Sequence, residues 1–492
     1  MNPRKTTRGR IFLFRALALA LGLSVVCGAE LLCRVFGLGG LPVSEDPFVG
    51  FKRVDPLFVL NGKTQWWEVA PAKLKFFSPE SFPAKKKGFR VFCLGGSTVK
   101  GRPYAKETSF TTWLKLSLEA AQPDREWEVV NCGGISYASY RLVNLMKECL
   151  SHEPDLFVVC TGHNEFLEDR TYEWLKRVPD AVAVSRDWAS HLRLYRIGRR
   201  LFETRAEGTG GGGRHVMPEE VEALLDYRGG LEVYDRNDKW RADVVRHFDS
   251  NLRIMARLAN ESGVPLVFVR PPSDLRSTPP FKSLHRDDLS LDDRLEWQEA
   301  VNRGRDAYAS DMVASVNAFR EALLIDDRFA ELHFELGKCL ERLGRVSEAK
   351  RAYTRALEED ICPLRMIEAL DRAMRDVAGA ARFPLVDAHA LLERESAFQI
   401  LGNDQLVDHI HPSIEGHKRI ADALLGVLER EGICRRAPGW EARRKELYDS
   451  HFATLDAAYF AAARRALHGL EEWAAGRSDG PPIEALPSPR KR

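Results

Sequence analysis

Five short apolar runs, each closed by small or polar residues, restrict what this chain can fold into: residues 90–95, 128–131, 154–162, 264–269 and 383–387. The run at 154–162 is the clearest. Leu156 to Cys160 contains no polar side chain, the pattern of a parallel strand buried on both faces. Helical spacing follows the first run, with Phe110, Trp113, Leu114 and Leu118 on one face of 106–121, and a second helix is predicted at 138–151. Strand–helix alternation of this kind predicts a parallel sheet in a layered α/β domain.

A chain of 492 residues has room for two to four domains. With 44% hydrophobic and 29% charged residues it can bury cores, which excludes global disorder. Lys and Arg number 73 against 71 Asp and Glu, a net charge of +2 that gives no footing to a dedicated nucleic-acid binder. The nine cysteines form no CxxC pair, so neither a disulfide scaffold nor a zinc finger is expected. Cys93, Cys132 and Cys160 fall in strand-like runs and read as small core residues.

The N-terminus is different. Arg4, Lys5, Arg8 and Arg10 precede fourteen uncharged residues, 16–29, and no acid occurs before Glu30. As a helix, 11–37 would measure about 40 Å, against a hydrocarbon core of about 30 Å. The basic flank predicts a single-pass signal anchor with the body on the periplasmic or extracellular side.

Two insertions interrupt the sheet pattern. Residues 166–248 mix helix and loop around the Gly210–Gly213 run, and 276–380 is helical. There, Ala318, Phe319, Ala322, Leu323 and Asp326 recur 34 residues later as Ala352, Tyr353, Ala356, Leu357 and Asp360. The segment 332–357, with Gly337, Ala349, Tyr353 and Ala356, resembles a tetratricopeptide repeat. The first copy is weaker: Arg303 stands where Gly337 maps, with Gly304 one place late. Such helix pairs either present a groove to a peptide of a protein partner or, as only two repeats, pad the domain and cover its flank. A long helix is predicted over about 440–474.

Four polar motifs follow predicted strands. Gly95–Gly96–Ser97–Thr98 puts a serine in a tight turn at the carboxyl edge of the sheet, where open α/β sheets bind ligands; as an isolated motif it also suits a helix N-cap. Asn131 to Ser136 follows the second strand and offers a backbone N–H. Gly162–His163–Asn164–Glu165 follows the third, and an Asn there can donate to an oxyanion. Asp408–His409–Ile410–His411–Pro412 offers a base with an orienting carboxylate three residues away. A metal reading of Asp408, His409 and His411 lacks further ligands upstream.

In this order the four motifs resemble the SGNH (GDSL-type) hydrolase superfamily, over about 88–165, 262–272 and 383–430. The resemblance implies a flavodoxin-like three-layer α/β/α core and ester hydrolysis through an acyl-serine. Ser97 is then the nucleophile, His411 the general base and Asp408 its orienter. The oxyanion hole is Ser97 N–H, Asn164 and a donor from the second motif, Gly134 or Ser136. Ser136 stands where the family usually has Gly. The implied organisation is a basic cytoplasmic tail (1–10), an anchor (11–37), a juxtamembrane linker (38–88), the first part of the core (89–275), the helical insertion (276–380), the second part of the core (381–432), a helical extension (433–474) and a disordered tail (475–492). Membrane-anchored bacterial SGNH proteins are similar in layout, and some act on acylated cell-surface polysaccharides. An O-acyltransferase using the same triad, or a scaffold with an idle core, fits the same residues. No metal or organic cofactor is expected.

Overall fold

A computed structural model of the protein describes residues 8–35, 46, 48–170, 193–194, 215–226 and 230–474. The start of the basic tail, the Gly210–Gly213 run, most of 171–214 and the expected tail 475–492 lie outside the described residues. The chain divides into two units, residues 1–50 with 171–217, and residues 51–170 with 218–492.

The first unit contains helix α1 (Arg8–Val35). Among the described residues no helix is long and apolar enough to cross a membrane, so the spanning segment expected at 11–37 is not found. At the far end of α1, Glu30 and Cys33 are buried, Glu30 accepts the Leu194 N–H at 3.1 Å, and Arg193 donates to the Cys33 carbonyl at 3.1 Å.

The strands are β1 (Val49–Phe51), β2 (Phe58–Asn61), β3 (Trp66–Val69), β4 (Ser81–Pro83), β5 (Phe89–Gly95), β6 (Trp127–Gly133), β7 (Leu156–Cys160), β8 (His215–Met217), β9 (Leu266–Arg270) and β10 (Leu385–Asp387). Five of them form one sheet in the order β10–β9–β7–β5–β6, parallel throughout. Counting only these, the order is 2-1-3-4-5, the flavodoxin-like arrangement, whose topological switch point lies between β5 and β7. Gly95 pairs with Gly133 on one side and Cys160 on the other, so three strands end level and the segments after them share one edge. Val91, Cys93, Leu156, Val158, Val267 and Val269 face Trp113, Leu118, Ile420 and Leu424 in the core. Burial pushes the Cys160 thiol up to about 12, consistent with an inert core thiol.

Residues 58–83 are more ordered than a linker. β2, β3 and β4 form an antiparallel sheet whose Phe58 and Phe82 pack with Phe92 and His152.

The helices of the second unit are α2 (Ser97–Lys100), α3 (Phe110–Ala121), α4 (Ser139–Cys149), α5 (Asp238–Ser262), α6 (Leu291–Ala307), α7 (Met312–Ile325), α8 (Ala330–Arg342), α9 (Val346–Glu359), α10 (Glu368–Ala381), α11 (Ala388–Glu393), α12 (Ile414–Arg430), α13 (Trp440–Phe452) and α14 (Ala457–Ala474). In the α8–α9 hairpin a Cβ on Gly337 would sit 2.6 Å from the Tyr353 ring, so only glycine lets the helices close. The α6–α7 hairpin repeats that contact with Gly304 against Phe319. One residue fewer separates glycine from ring, which is why Gly304 falls one place late. The helix expected over 440–474 is broken at Ala453–Asp456, where α13 ends and α14 begins.

Candidate active site

Ser97 opens α2 directly after β5. As the first helical residue its N–H has no intrahelical acceptor. Gly96 before it is extended, φ −86° and ψ −154°, and a Cβ there would lie 2.5 Å from Asn164 Nδ2. Glycine therefore lets the Asn164 amide close on the serine turn.

Asp408 and His411 meet on a loop, not on a helical turn. The Asp408 Oδ1 accepts the N–H groups of Ile410 and His411, both at 2.8 Å, an Asx-type closure. The loop is tied further by Val407 N–H to the His411 carbonyl at 2.9 Å. Asp408 Oδ2 remains for His411 Nδ1 at 2.6 Å, and His411 Nε2 lies 2.7 Å from Ser97 Oγ. His411 is 1% exposed and Ser97 6%. Burial alone would raise the Asp408 carboxyl; the charge and hydrogen bond of His411, the charge of His409 and the Ile410 N–H outweigh it and hold Asp408 well below the usual carboxylate range. An ionised Asp408 accepts the Nδ1–H of His411, which leaves Nε2 facing the serine. Ser413, not Asp408, caps the helix that follows, accepting the Gly416 N–H at 3.1 Å.

The expected oxyanion donors differ in what already occupies them. Asn164 Nδ2 donates one hydrogen to the Tyr137 carbonyl at 3.0 Å, leaving the other. Gly134, expected as one of two donors, does not serve: its N–H is spent on the Gly95 carbonyl at 2.9 Å. Ser136 N–H meets no acceptor among the described residues, and Ser136 lies with Ser97, Asn164 and His411 around one cavity. Ser136 holds φ +59°, a left-handed conformation that favours glycine.

Other members of the motifs are structural. Asn131 ties the serine turn to α3, donating to the Val99 carbonyl at 2.7 Å and Thr111 Oγ1 at 2.9 Å. Glu165 accepts the Ser139 N–H and hydroxyl at 2.8 and 2.9 Å, a carboxylate at the start of α4 where the helix dipole favours it. His163 Nδ1 accepts the Met366 N–H at 3.1 Å, and burial, then the charges of His409 and His411, hold His163 far below the ordinary histidine range. Arg270 is bound by Asp371 and Asp387 at 2.9 and 3.0 Å. Among the described residues no three His, Cys, Asp or Glu side chains are placed to hold a metal ion. The motifs gave no sign of Leu470 and Trp473, which line the same cavity from α14. They stand about sixty residues past His411 in an ordinary amphipathic helix.

Residues 330–360 match the family model for the tetratricopeptide repeat, the span of α8 and α9. No curated protein matches the chain. Among solved structures, the chain is similar to LAE5, an alpha/beta hydrolase from the metagenome of Lake Arreo, Spain, at 15% identity over 70% of this chain and 97% of that one, TM-score 0.32. It is also similar to the lipase/acylhydrolase of Enterococcus faecalis, at 13% identity over 70% and 96%, TM-score 0.31. A third is a GDSL-like lipase of Bacteroides thetaiotaomicron, at 11% identity over 70% and 88%, TM-score 0.29.

Proposed function

We propose that the chain is a serine ester hydrolase of the SGNH type. The observation that carries this is the continuous hydrogen-bonded line from Asp408 through His411 to Ser97, 2.6 and 2.7 Å. Ser97 Oγ bonds to the ester carbon as its proton passes to His411 Nε2. The developing oxyanion is met by Ser97 N–H, Ser136 N–H and Asn164 Nδ2. The carbon–oxygen bond to the alcohol breaks, and the alcohol leaves with the proton from His411. Water then gives a proton to His411 and its hydroxyl to the acyl carbon, and Ser97 leaves with that proton as the acid is released. With a sugar hydroxyl in place of water, the same steps make an O-acyltransferase.

Labelling with a fluorophosphonate serine probe tests the reading. A folded protein that labels, with loss of the label in Ser97→Ala and His411→Ala, is the expected result; an unlabelled folded protein is what the idle-scaffold alternative requires.

The same proposal tethers the body to a membrane through 11–37 and places it on the outer side, acting on acylated cell-surface polysaccharide. The basic flank and the uncharged run 16–29 support the tether, and the substrate class follows from the resemblance to membrane-anchored SGNH proteins. Alkaline extraction of membranes and a topology reporter fused after residue 41 test it. The repeat hairpins α6–α9 are proposed to hold a protein partner.

A further inference from the structure

The cavity beside Ser97 is small, and one of its walls comes from a part of the chain remote from every motif. Its volume is about 20 Å³, room for roughly one water-sized group. Ile135, Leu167 and Leu364 form apolar wall, and Leu470 and Trp473 of α14 complete it. Both α14 residues are buried, at 3% and 6% exposure. Trp473 is held at two points. Its indole N–H donates to Asp226 Oδ1 at 2.7 Å, and its ring packs in a cluster with Leu225, Tyr234 and Ile361. A tryptophan fixed by both packing and a directed hydrogen bond is a wall, since moving it strips the half-buried Asp226 carboxylate of its indole partner.

We propose that Trp473 and Leu470 set the acyl length this site accepts: esters of short acids, acetyl foremost, with long acyl chains excluded. This rests on the serine-esterase reading. An acetyl methyl is close to a water in size, so it fits the space that exists. On the side closed by Leu470 and Trp473, a further methylene meets side chains that are already buried and packed. One methylene in an apolar pocket discriminates by about 10–200-fold, so the preference builds steeply with chain length.

The experiment is kcat/KM for 4-nitrophenyl acetate, butyrate and octanoate, with the full chain, Trp473→Ala and Trp473→Phe. Wild type is expected to prefer acetate over octanoate by at least about 100-fold, the scale of a single misfit methylene. Trp473→Ala narrows the ratio at least about tenfold, the lower bound for one methylene's worth of space. Trp473→Phe keeps a ring in place and stays near the wild-type ratio. Should Trp473→Ala not fold, as judged by circular dichroism, Leu470→Ala replaces it with the same expected direction. Octanoate cleaved by wild type as readily as acetate overturns the proposal. So does a folded alanine variant with the wild-type ratio, and either result leaves the esterase reading intact. Absence of both acetate turnover and Ser97 labelling overturns the esterase reading and the acyl-length proposal together.

Discussion

The Gly134 N–H donates to the Gly95 carbonyl at 2.9 Å, stitching the second motif to the end of the strand that leads into Ser97. That bond occupies the Gly134 N–H, so in the proposed esterase the second motif's donor is the Ser136 N–H. Two substitutions separate the donors. Asn164→Ala is expected to lower kcat by about 10²–10³ with little change in KM, the cost of one oxyanion donor. Ser136→Gly keeps the N–H and the activity, and relieves a left-handed φ of +59°. It should raise stability by about 1 kcal/mol, read from the urea midpoint at constant slope.

Asp408→Asn leaves the Asx-type loop able to close but removes the charge that fixes the His411 tautomer. Turnover of an activated ester should fall by about 10⁴, while the urea midpoint moves far less than the rate. Equal losses in both would make Asp408 a folding residue only.

Buried neutral histidines make the fold acid-sensitive. His409 is pushed down to about 4 and His417 to about 3, chiefly by burial. Their ordinary value is about 6.5, so below that pH the unfolded chain binds protons the folded chain refuses. Stability contributed by these groups is therefore present above pH 6.5 and lost as pH falls toward 4, at about 1.4 kcal/mol per pH unit for each. His417 Nδ1 accepts the Phe110 N–H at 3.2 Å, a contact Asn can keep. His417→Asn should flatten the stability–pH curve by one proton between pH 6.5 and 4; an unchanged slope in urea titrations would contradict it.

The first helical hairpin closes on Gly304, not on the aligned Arg303. Gly304→Ala drives a methyl into the Phe319 ring and should destabilise by about 1–3 kcal/mol, as overpacking does. Arg303→Ala removes only an exposed pair with Glu321 and keeps a good helix former, so it should stay within about 0.5 kcal/mol. Thermal melts of the two variants decide which position closes the hairpin.

The legible parts of this molecule were those whose cause is local. A strand buried on both faces announces itself as an unbroken apolar run, so β5, β7 and β9 could be read directly. Ser97 and the Asp408–His411 pair are likewise short-range, a turn after a strand and a closed five-residue loop. What escaped depends on distant partners. Gly134 and Ser136 are equivalent as text, and only the Gly95 carbonyl tells them apart. The strands β2 to β4 looked irregular because the groups that bury Phe58 and Phe82, namely Phe92 and His152, come from elsewhere in the chain. Trp473 lies so far beyond the last motif that nothing near it hints at Ser97.

The placement of α14 bears on how this chain can be cut. A fragment stopped at Arg430 would keep Ser97, Asn164, Asp408 and His411, every residue a motif search would ask for. It would also uncover Leu167, Leu225, Tyr234 and Leu364, which α14 helps to cover, and leave Asp226 without its indole partner. Such a fragment should be sticky and unselective at once, because the same two side chains that keep that apolar patch from solvent also stand at the entrance to the serine.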